Sequence, residues 1–314
     1  MLKRIRRGVD GAIAPRAGTS RGGQPLSHNR APAPDLAPWI ARLYATVVDV
    51  PDGYRLESGL FNDVSVIRIQ LRGDWTAQTA DGTLQLGRAA LVFGPHSHLM
   101  PVTVTGSFTS IGVQLRPGAG HALQGLNAGD VIDRIVPAEA FGLRAEAAME
   151  ALAATRSPEQ ALDVLEGMIR RIIAQSGGQL PDPISARFEA LSFTDPGASV
   201  AEFAQSCGIS SRQLERLIRR DFGLPPKQVL RRARALDMAS HLRGVADEAE
   251  AEEIALRYYD QSHLTREFTA LFGMSPRQFV EAPSPLLTLA LESRQSRRLE
   301  AMERLAPGEP RPWQ

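Results

Sequence analysis

The sequence predicts an α+β chain: a β-rich N-terminal domain, a helical connector and an all-α C-terminal domain. Three observations predict it. Between Leu36 and Pro137, alternating or β-branched runs are cut by glycine-containing turns. From Glu139 to Gln175 the apolar residues recur at helical spacing. Nearer the C-terminus a segment repeats with a period of fifty, residues 206–230 lying over 256–280. That overlay pairs Leu214 with Leu264, Arg216 with Arg266, Phe222 with Phe272, Gly223 with Gly273, Pro226 with Pro276 and Gln228 with Gln278.

A length of 314 residues suits two domains plus tails, and 43% hydrophobic content is ample for real cores. Residues 1–34 are rich in Arg, Gly, Pro and Ser without apolar periodicity, so a disordered basic tail is expected there. The β-rich domain is placed at 35–137, with strands at Ser65–Leu71, Thr83–Phe93, Val102–Thr105 and Ser110–Leu115. Turns are expected at Gly73, Asp81-Gly82, Gly94-Pro95, Gly106 and Pro117-Gly118, giving a small β sandwich or barrel.

The connector, 138–180, carries Leu162, Leu165, Met168, Ile169, Ile172 and Ile173 at helical spacing behind a Ser157-Pro158-Glu159 start signal. Its helices either pack on the β domain or dimerise, and Ser176–Pro183 is the clearest boundary of the chain. Beyond it, Ser199 begins a helix through Ser206, Gly208 permits a tight turn, and Ser210 or Ser211 caps a helix to Phe222. Pro225-Pro226 opens a long helix to about Leu242, because proline is tolerated in a first helical turn. An acidic stretch, Asp247–Glu253, leads through a short helix and a turn at Tyr258–Asp260 into a helix over 261–272.

In the 211–221 helix, Leu214, Leu217 and Ile218 share the inward side, and Arg212, Arg216 and Arg219 line the other beside Gln213 and Arg220. Arg pairs with guanine and Gln with adenine edges in the major groove, so this helix has the make-up of a duplex reader. In 261–272, Leu264, Phe268 and Leu271 point inward and Ser262, His263 and Arg266 outward, with Gln261 and Thr265 beside them. Residues 226–242 span roughly 25 Å as a helix, a stiff link that sets two readers in successive groove segments. The stretch 212–243 holds nine basic residues against three acidic ones, enough to attract phosphates, although the whole chain carries a formal charge of only +1.

These residues bring a family into view. ISSRQLERLIRRDFGLPPKQVL, followed by YYDQSHLTREFTALFGMSPRQFV, resembles the C-terminal DNA-binding domain of AraC/XylS-type transcription regulators over roughly 185–281. The resemblance implies a double helix-turn-helix domain at 181–282, its two units joined by a long helix. It also implies base contacts at Arg212, Gln213 and Arg216 and at Ser262, His263 and Arg266. Ser211, Arg219, Gln261 and Thr265 would touch the phosphate backbone. Where the family has a Gly-Tyr or Gly-Phe pair in the second turn this chain has Arg257-Tyr258, which implies a shifted pose for the second unit. Phe93-Gly94-Pro95 and the run Gly112–Gly118 resemble the β-rich, cupin-like module that precedes this domain in one branch of the family. Such a module implies effector binding or dimerisation.

The remaining features carry less chemistry. Cys207, the one cysteine, excludes internal disulfides and is read as a small buried residue. His96 and His98 have metal-ligand spacing without a third ligand, the next histidine being His121, and are read as surface residues at a loop edge. No nucleophile elbow, phosphate-binding glycine loop or paired carboxylates appear, so neither an enzyme nor a cofactor is expected. Residues 283–314 hold one more amphipathic helix, at 285–304, expected to cover the DNA-binding domain. With neither a signal peptide nor a membrane-length apolar run, the expectation is a cytoplasmic regulator, an activator of transcription, acting on double-stranded DNA with RNA polymerase. A small-molecule effector and a monomer or homodimer complete it. Its rivals are a cupin-type metal-dependent enzyme and an interaction protein with a degenerate DNA-binding unit.

Overall fold

The computed structural model describes residues 14–15, 27–246 and 261–303, with the backbone alone at 14–15 and 261–264. Among these residues nine strands form one antiparallel sheet: β1 Ala14–Pro15, β2 His28–Arg30, β3 Ile40–Asp49, β4 Arg55–Leu60, β5 Val66–Thr79, β6 Gly82–Leu86, β7 Ala89–Phe93, β8 Met100–Leu115 and β9 Ile135–Pro137. The spine is the pair β5 and β8, which stay hydrogen-bonded along most of their length. One half of each pairs with β3 and β7, the other with β4 and β6, so the sheet folds over on itself. Gly73 and Gly106, expected as turns, instead lie inside β5 and β8, and the β5–β8 register shifts on either side of Arg72. A local irregularity bends a continuous strand where a turn would have ended it.

Because successive side chains alternate, the bent sheet has two unlike faces. Ile67, Ile69, Ile111 and Val113 join the core formed with α2 (Ala145–Ala153) and α3 (Pro158–Gln175). The expected connector is thus part of the N-terminal core, because the apolar stripe of α3 has no other face to bury. Two stretches of the expected tail are also built in. Strands β1 and β2 both pair with β3, and Arg30 on β2 reaches Glu166 at 2.7 Å and Asp163 at 2.8 Å on α3. The β domain therefore begins at His28 or earlier, and the rest of that tail lies outside the described residues.

The C-terminal part contains α4 Pro183–Thr194, α5 Val200–Ser206, α6 Ser211–Phe222, α7 Pro226–Leu242, α8 Gln261–Phe272, α9 Pro276–Glu281 and α10 Pro285–Ala301; α1, Ala119–Gln124, is a short helix following β8. Two apolar cores share α7. Val229 and Leu230 pack with Phe188, Leu214, Ile218 and Phe222. Further along, Ala235 to Leu242 pack with Phe268, Phe272 and Phe279. Phe268 and Phe272 stack with ring centroids 4.2 Å apart. The acidic stretch and the turn containing Arg257-Tyr258 lie outside the described residues.

Helix α10 overturns the expectation of an amphipathic cover. It is buried nearly all round, charged residues included, because it lies between the two domains. It packs on β3 and β4 on one side and on α4 and α7 on the other. Its arginines are accommodated by carboxylates drawn from both: Arg294 meets Asp237 at 2.6 Å and Asp63 at 3.3 Å. Arg297 meets Glu189 at 3.1 Å and also Asp63. Glu300 in turn accepts from Arg42 of β3 at 2.7 Å.

Candidate nucleic-acid interface

Helix α6 starts at a capping box. Ser210 Oγ accepts from the Gln213 amide, and Gln213 Oε1 accepts from the Ser210 amide at 2.9 Å. These bonds satisfy two otherwise unpaired amides at the helix start. Ser210, and not Ser211, is the cap. The Gln213 carbonyl oxygen, read from sequence as facing a base, is held by its own helix terminus.

The helix stops at Gly223, which sits at φ +80°, a conformation that glycine adopts without a Cβ penalty. The second unit ends the same way. Gly273 at φ +69° follows α8, and Ser275 with Gln278 forms a second capping box before α9. The period-fifty repeat is therefore a repeat of a reader-shaped helix, a left-handed glycine and a proline-led helix. Leu214, Ile218, Phe268 and Phe272 are buried as the inward stripe, and Leu217 and Leu271 partly so.

The outward face of α6 is sparser in free cations than the sequence implies. Arg219 is held by Glu215 at 3.0 Å, one helical turn away. Arg220 is paired with the buried Asp221 at 2.6 Å, which raises its pKa, chiefly through the hydrogen bond to that carboxylate. Arg231 and Arg234 both face Glu267 across α7 and α8, at 3.2 and 3.5 Å. Arg232 is buried and donates to the carbonyls of His96 and Asp63, each at 2.8 Å. Burial lowers its pKa to about 10, with Asp63 opposing. Arg243 reaches the Ala282 carbonyl at 2.9 Å. Of the nine basic residues in 212–243, Arg212, Arg216 and Lys227 remain exposed with no ion pair among the described residues. On α8, Thr265 and Arg266 are exposed; the side chains of Gln261, Ser262, His263 and Leu264 lie outside the described residues.

Helices α6 and α8 are both anchored at their C-terminal ends on the β domain. A Cβ on Gly129 would stand 3.1 Å from the Arg219 carbonyl of α6, and one on Gly118 would meet the Asp221 carboxylate at 2.8 Å. On the other unit, the Leu99 amide donates to the Leu271 carbonyl at 2.8 Å, and Phe61 meets Phe272 edge-on at 5.1 Å. This docking was not legible from sequence, since it joins loops far apart in the chain. His96 departs from its expected place at the surface. It is fully buried between the domains, its Nδ1 lies 3.0 Å from the Leu60 carbonyl and 3.2 Å from the Asn62 amide, and its Nε2 has no partner among the described residues. His98 is exposed, as read. Among the described residues no three His, Cys, Asp or Glu side chains are grouped to hold a metal, and none of the helices is long and apolar enough to cross a membrane.

The comparisons with known proteins follow this division. Residues 203–282 match the family described as helix-turn-helix domain, and residues 28–137 match a domain of unknown function, DUF6597. No curated protein matches. Among solved structures, ToxT from Vibrio cholerae strain SCE256 with unsaturated fatty acid bound is 9% identical, with a TM-score of 0.45 over 76% of this chain and 94% of that one. ToxT from Vibrio cholerae O395 is likewise 9% identical, at 0.43 over 76% and 97%. The AraC-like transcriptional activator CuxR is 12% identical, at 0.28 over 69% and 88%.

Proposed function

We propose that this chain, whose C-terminal domain is a helix-turn-helix domain of the AraC type and which is a DNA-binding transcription regulator, reads an asymmetric site of about two duplex turns as a single chain. The observation that carries the reading is the pair of like-built helices, α6 and α8, flanking one shared helix, α7, that is common to both of their cores. Arg212 and Arg216 read base edges from α6, Ser211 and Arg219 meet phosphates, and Gln213 contributes first by fixing the start of the helix. Arg266, with Ser262 and His263, reads from α8, flanked by Gln261 and Thr265 on the backbone. The units differ in their outward residues while sharing their packing residues, which supports an asymmetric target.

The reading extends to the partners. The β domain, docked on both readers, receives a small-molecule effector, and RNA polymerase is the partner through which the chain activates transcription in the cytoplasm, as monomer or homodimer. The domain family points to a regulator and away from an enzyme. Replacing Arg216 with Ala weakens specific binding by about 1–3 kcal/mol and relaxes base preference in one half-site only, since one bidentate contact carries that much discrimination. Selection from a random duplex pool, followed by quantitative footprinting of wild type and variant, checks it. Equal affinity of the wild type for all duplexes at physiological salt would overturn the reading. A single protected groove segment would instead favour the degenerate second unit.

A further inference from the structure

The inner face of the folded-over sheet is polar where a core is expected. Along three neighbouring strands, the register sets Tyr44, Gly112 and Arg68 in one row and Thr46, Ser110 and Gln70 in the next. All six side-chain positions point to the same face, opposite the isoleucine-rich face that packs on α2 and α3. Arg68 is only 8% exposed, lies 4.5 Å over the Phe93 ring, and donates from Nε to the Tyr44 hydroxyl at 3.0 Å. Gly112 lets those two side chains meet: a Cβ there would stand 2.6 Å from the Tyr44 hydroxyl. No carboxylate pairs with Arg68 among the described residues, and its two terminal nitrogens have no hydrogen-bond partner there. Arg42, Arg294 and Arg297, equally buried, each face a carboxylate.

Arg68 opens onto a cavity of about 50 Å³ roofed by α10. Five further buried polar atoms of its lining residues lack partners among the described residues: Asn62 Nδ2, Trp75 Nε1, Ser110 Oγ, Gln114 Oε1 and, from the roof, Ser293 Oγ. Buried polar atoms are nearly always satisfied, so the gathering of five orphans around one small space marks it as built for an occupant. Water satisfies dipoles, but it leaves the guanidinium charge uncompensated in a poorly solvated site. An anion supplies both.

We infer that this cavity binds a small monocarboxylate, its two oxygens on the terminal nitrogens of Arg68 and its short apolar body under α10. A planar carboxylate matches the guanidinium fork. A phosphate dianion would bring two charges to a single cation, and the volume admits only a few heavy atoms. This names the chemistry of the effector in the reading above and rests on it. Helix α10 connects the two ends of the proposal: Ala290 and Ser293 roof the cavity, and Arg294 and Arg297 in the next turn grip α7 and α4.

The test is titration calorimetry of the full chain with propionate and with lactate, against uncharged propanamide at matched ionic strength. At least one of the two carboxylates is expected to bind, and propanamide not. Arg68→Gln weakens carboxylate binding about tenfold or more, as loss of a charge-assisted pair does. Ala290→Leu, which fills the cavity from the roof and leaves Arg68 in place, abolishes it. Equal binding of propanamide, carboxylate binding unchanged in Arg68→Gln, or no binding of either carboxylate overturns the inference, the last meaning a cavity that takes water only. Should Arg68→Gln fail to fold, the propanamide comparison and Ala290→Leu decide. Footprinting the same wild-type preparation without additive keeps the failures apart, since an intact footprint with no carboxylate binding sinks the cavity proposal alone.

Discussion

Replacing Asp63 with Asn destabilises the full chain by about 3 kcal/mol, the scale of a buried ion pair broken from one side. Asp63 sits in the loop between β4 and β5, and its carboxylate accepts from Arg297 and forms an ion pair with Arg294 of α10. Burial alone would raise its pKa; Arg297, Arg294 and Arg232 together hold it below the usual carboxylate value. Without that charge, Arg294 keeps Asp237 and Arg297 keeps Glu189, but the interdomain cluster carries one more uncompensated positive charge. Denaturant unfolding of the single variant measures the loss. The double variant Asp63→Leu with Arg297→Met recovers most of it if the cost arises from a stranded charge, because packed apolar side chains replace buried ion pairs nearly without loss. A double variant as unstable as Asp63→Asn would place the cost in the loop's backbone instead.

Lowering the pH from 7 to 5 weakens the folded chain by about 2 kcal/mol through His96 alone. Its pKa is lowered from 6.5 to about 4, first by burial and then by the nearby Arg232 and Arg68, against the partial support of Asp133 and the Leu60 carbonyl. Between those two values the unfolded chain binds a proton that the folded chain refuses. Stability therefore stands in full above pH 6.5, declines as the pH falls toward 4, and has nothing further to lose from this group below that. Unfolding curves at pH 7 and pH 5 for wild type and His96→Asn check it. The variant is less stable at pH 7 and lacks this part of the slope; an unchanged slope would exclude His96 as the source. The acid-side losses from Asp35 and Glu159, whose pKa values are lowered mainly by hydrogen bonds to Arg170 and His28, come below their ordinary values of 3.8 and 4.5 and so fall outside most of this window.

The helical half was legible because its signals are local. Ser199 and Ser210 as caps, Gly223 as a stop, Pro226 as a start and the leucine stripe all act within one or two turns, and the structure places α5, α6 and α7 where they say. The β half was legible in kind. Its strand count was not, because Gly73 and Gly106 look the same in sequence whether the chain turns or merely bends. Charge was the least legible property. A count of nine cations says nothing of Glu215, Asp221 and Glu267 waiting opposite them, so the exposed unpaired set shrinks to Arg212, Arg216 and Lys227. The polar row of β5 and β8 did leave a trace. Arg68 and Gln70, then Ser110, Gly112 and Gln114, alternate with isoleucine and valine through runs that otherwise read as core. Alternation of this kind marks an outward face in most sheets, and only the folding-over of this one turns it inward.

Helix α10 lies downstream in the chain of every element it touches. On the ribosome, the sheet and the two readers emerge before the segment that joins them. During that interval Asp63, Asp237 and Glu189 lack Arg294 and Arg297, although Arg116 can already meet Glu189. The direct contacts, Leu99 with Leu271 and Phe61 with Phe272, need no residue of α10, whereas the charged part of the seam is completed only when residues 285–301 arrive. Chain order leaves the ion-paired part of the seam to form after both folds have emerged, so a nascent chain stalled before α10 would keep the direct contacts between the domains but lack the arginine cluster that locks them.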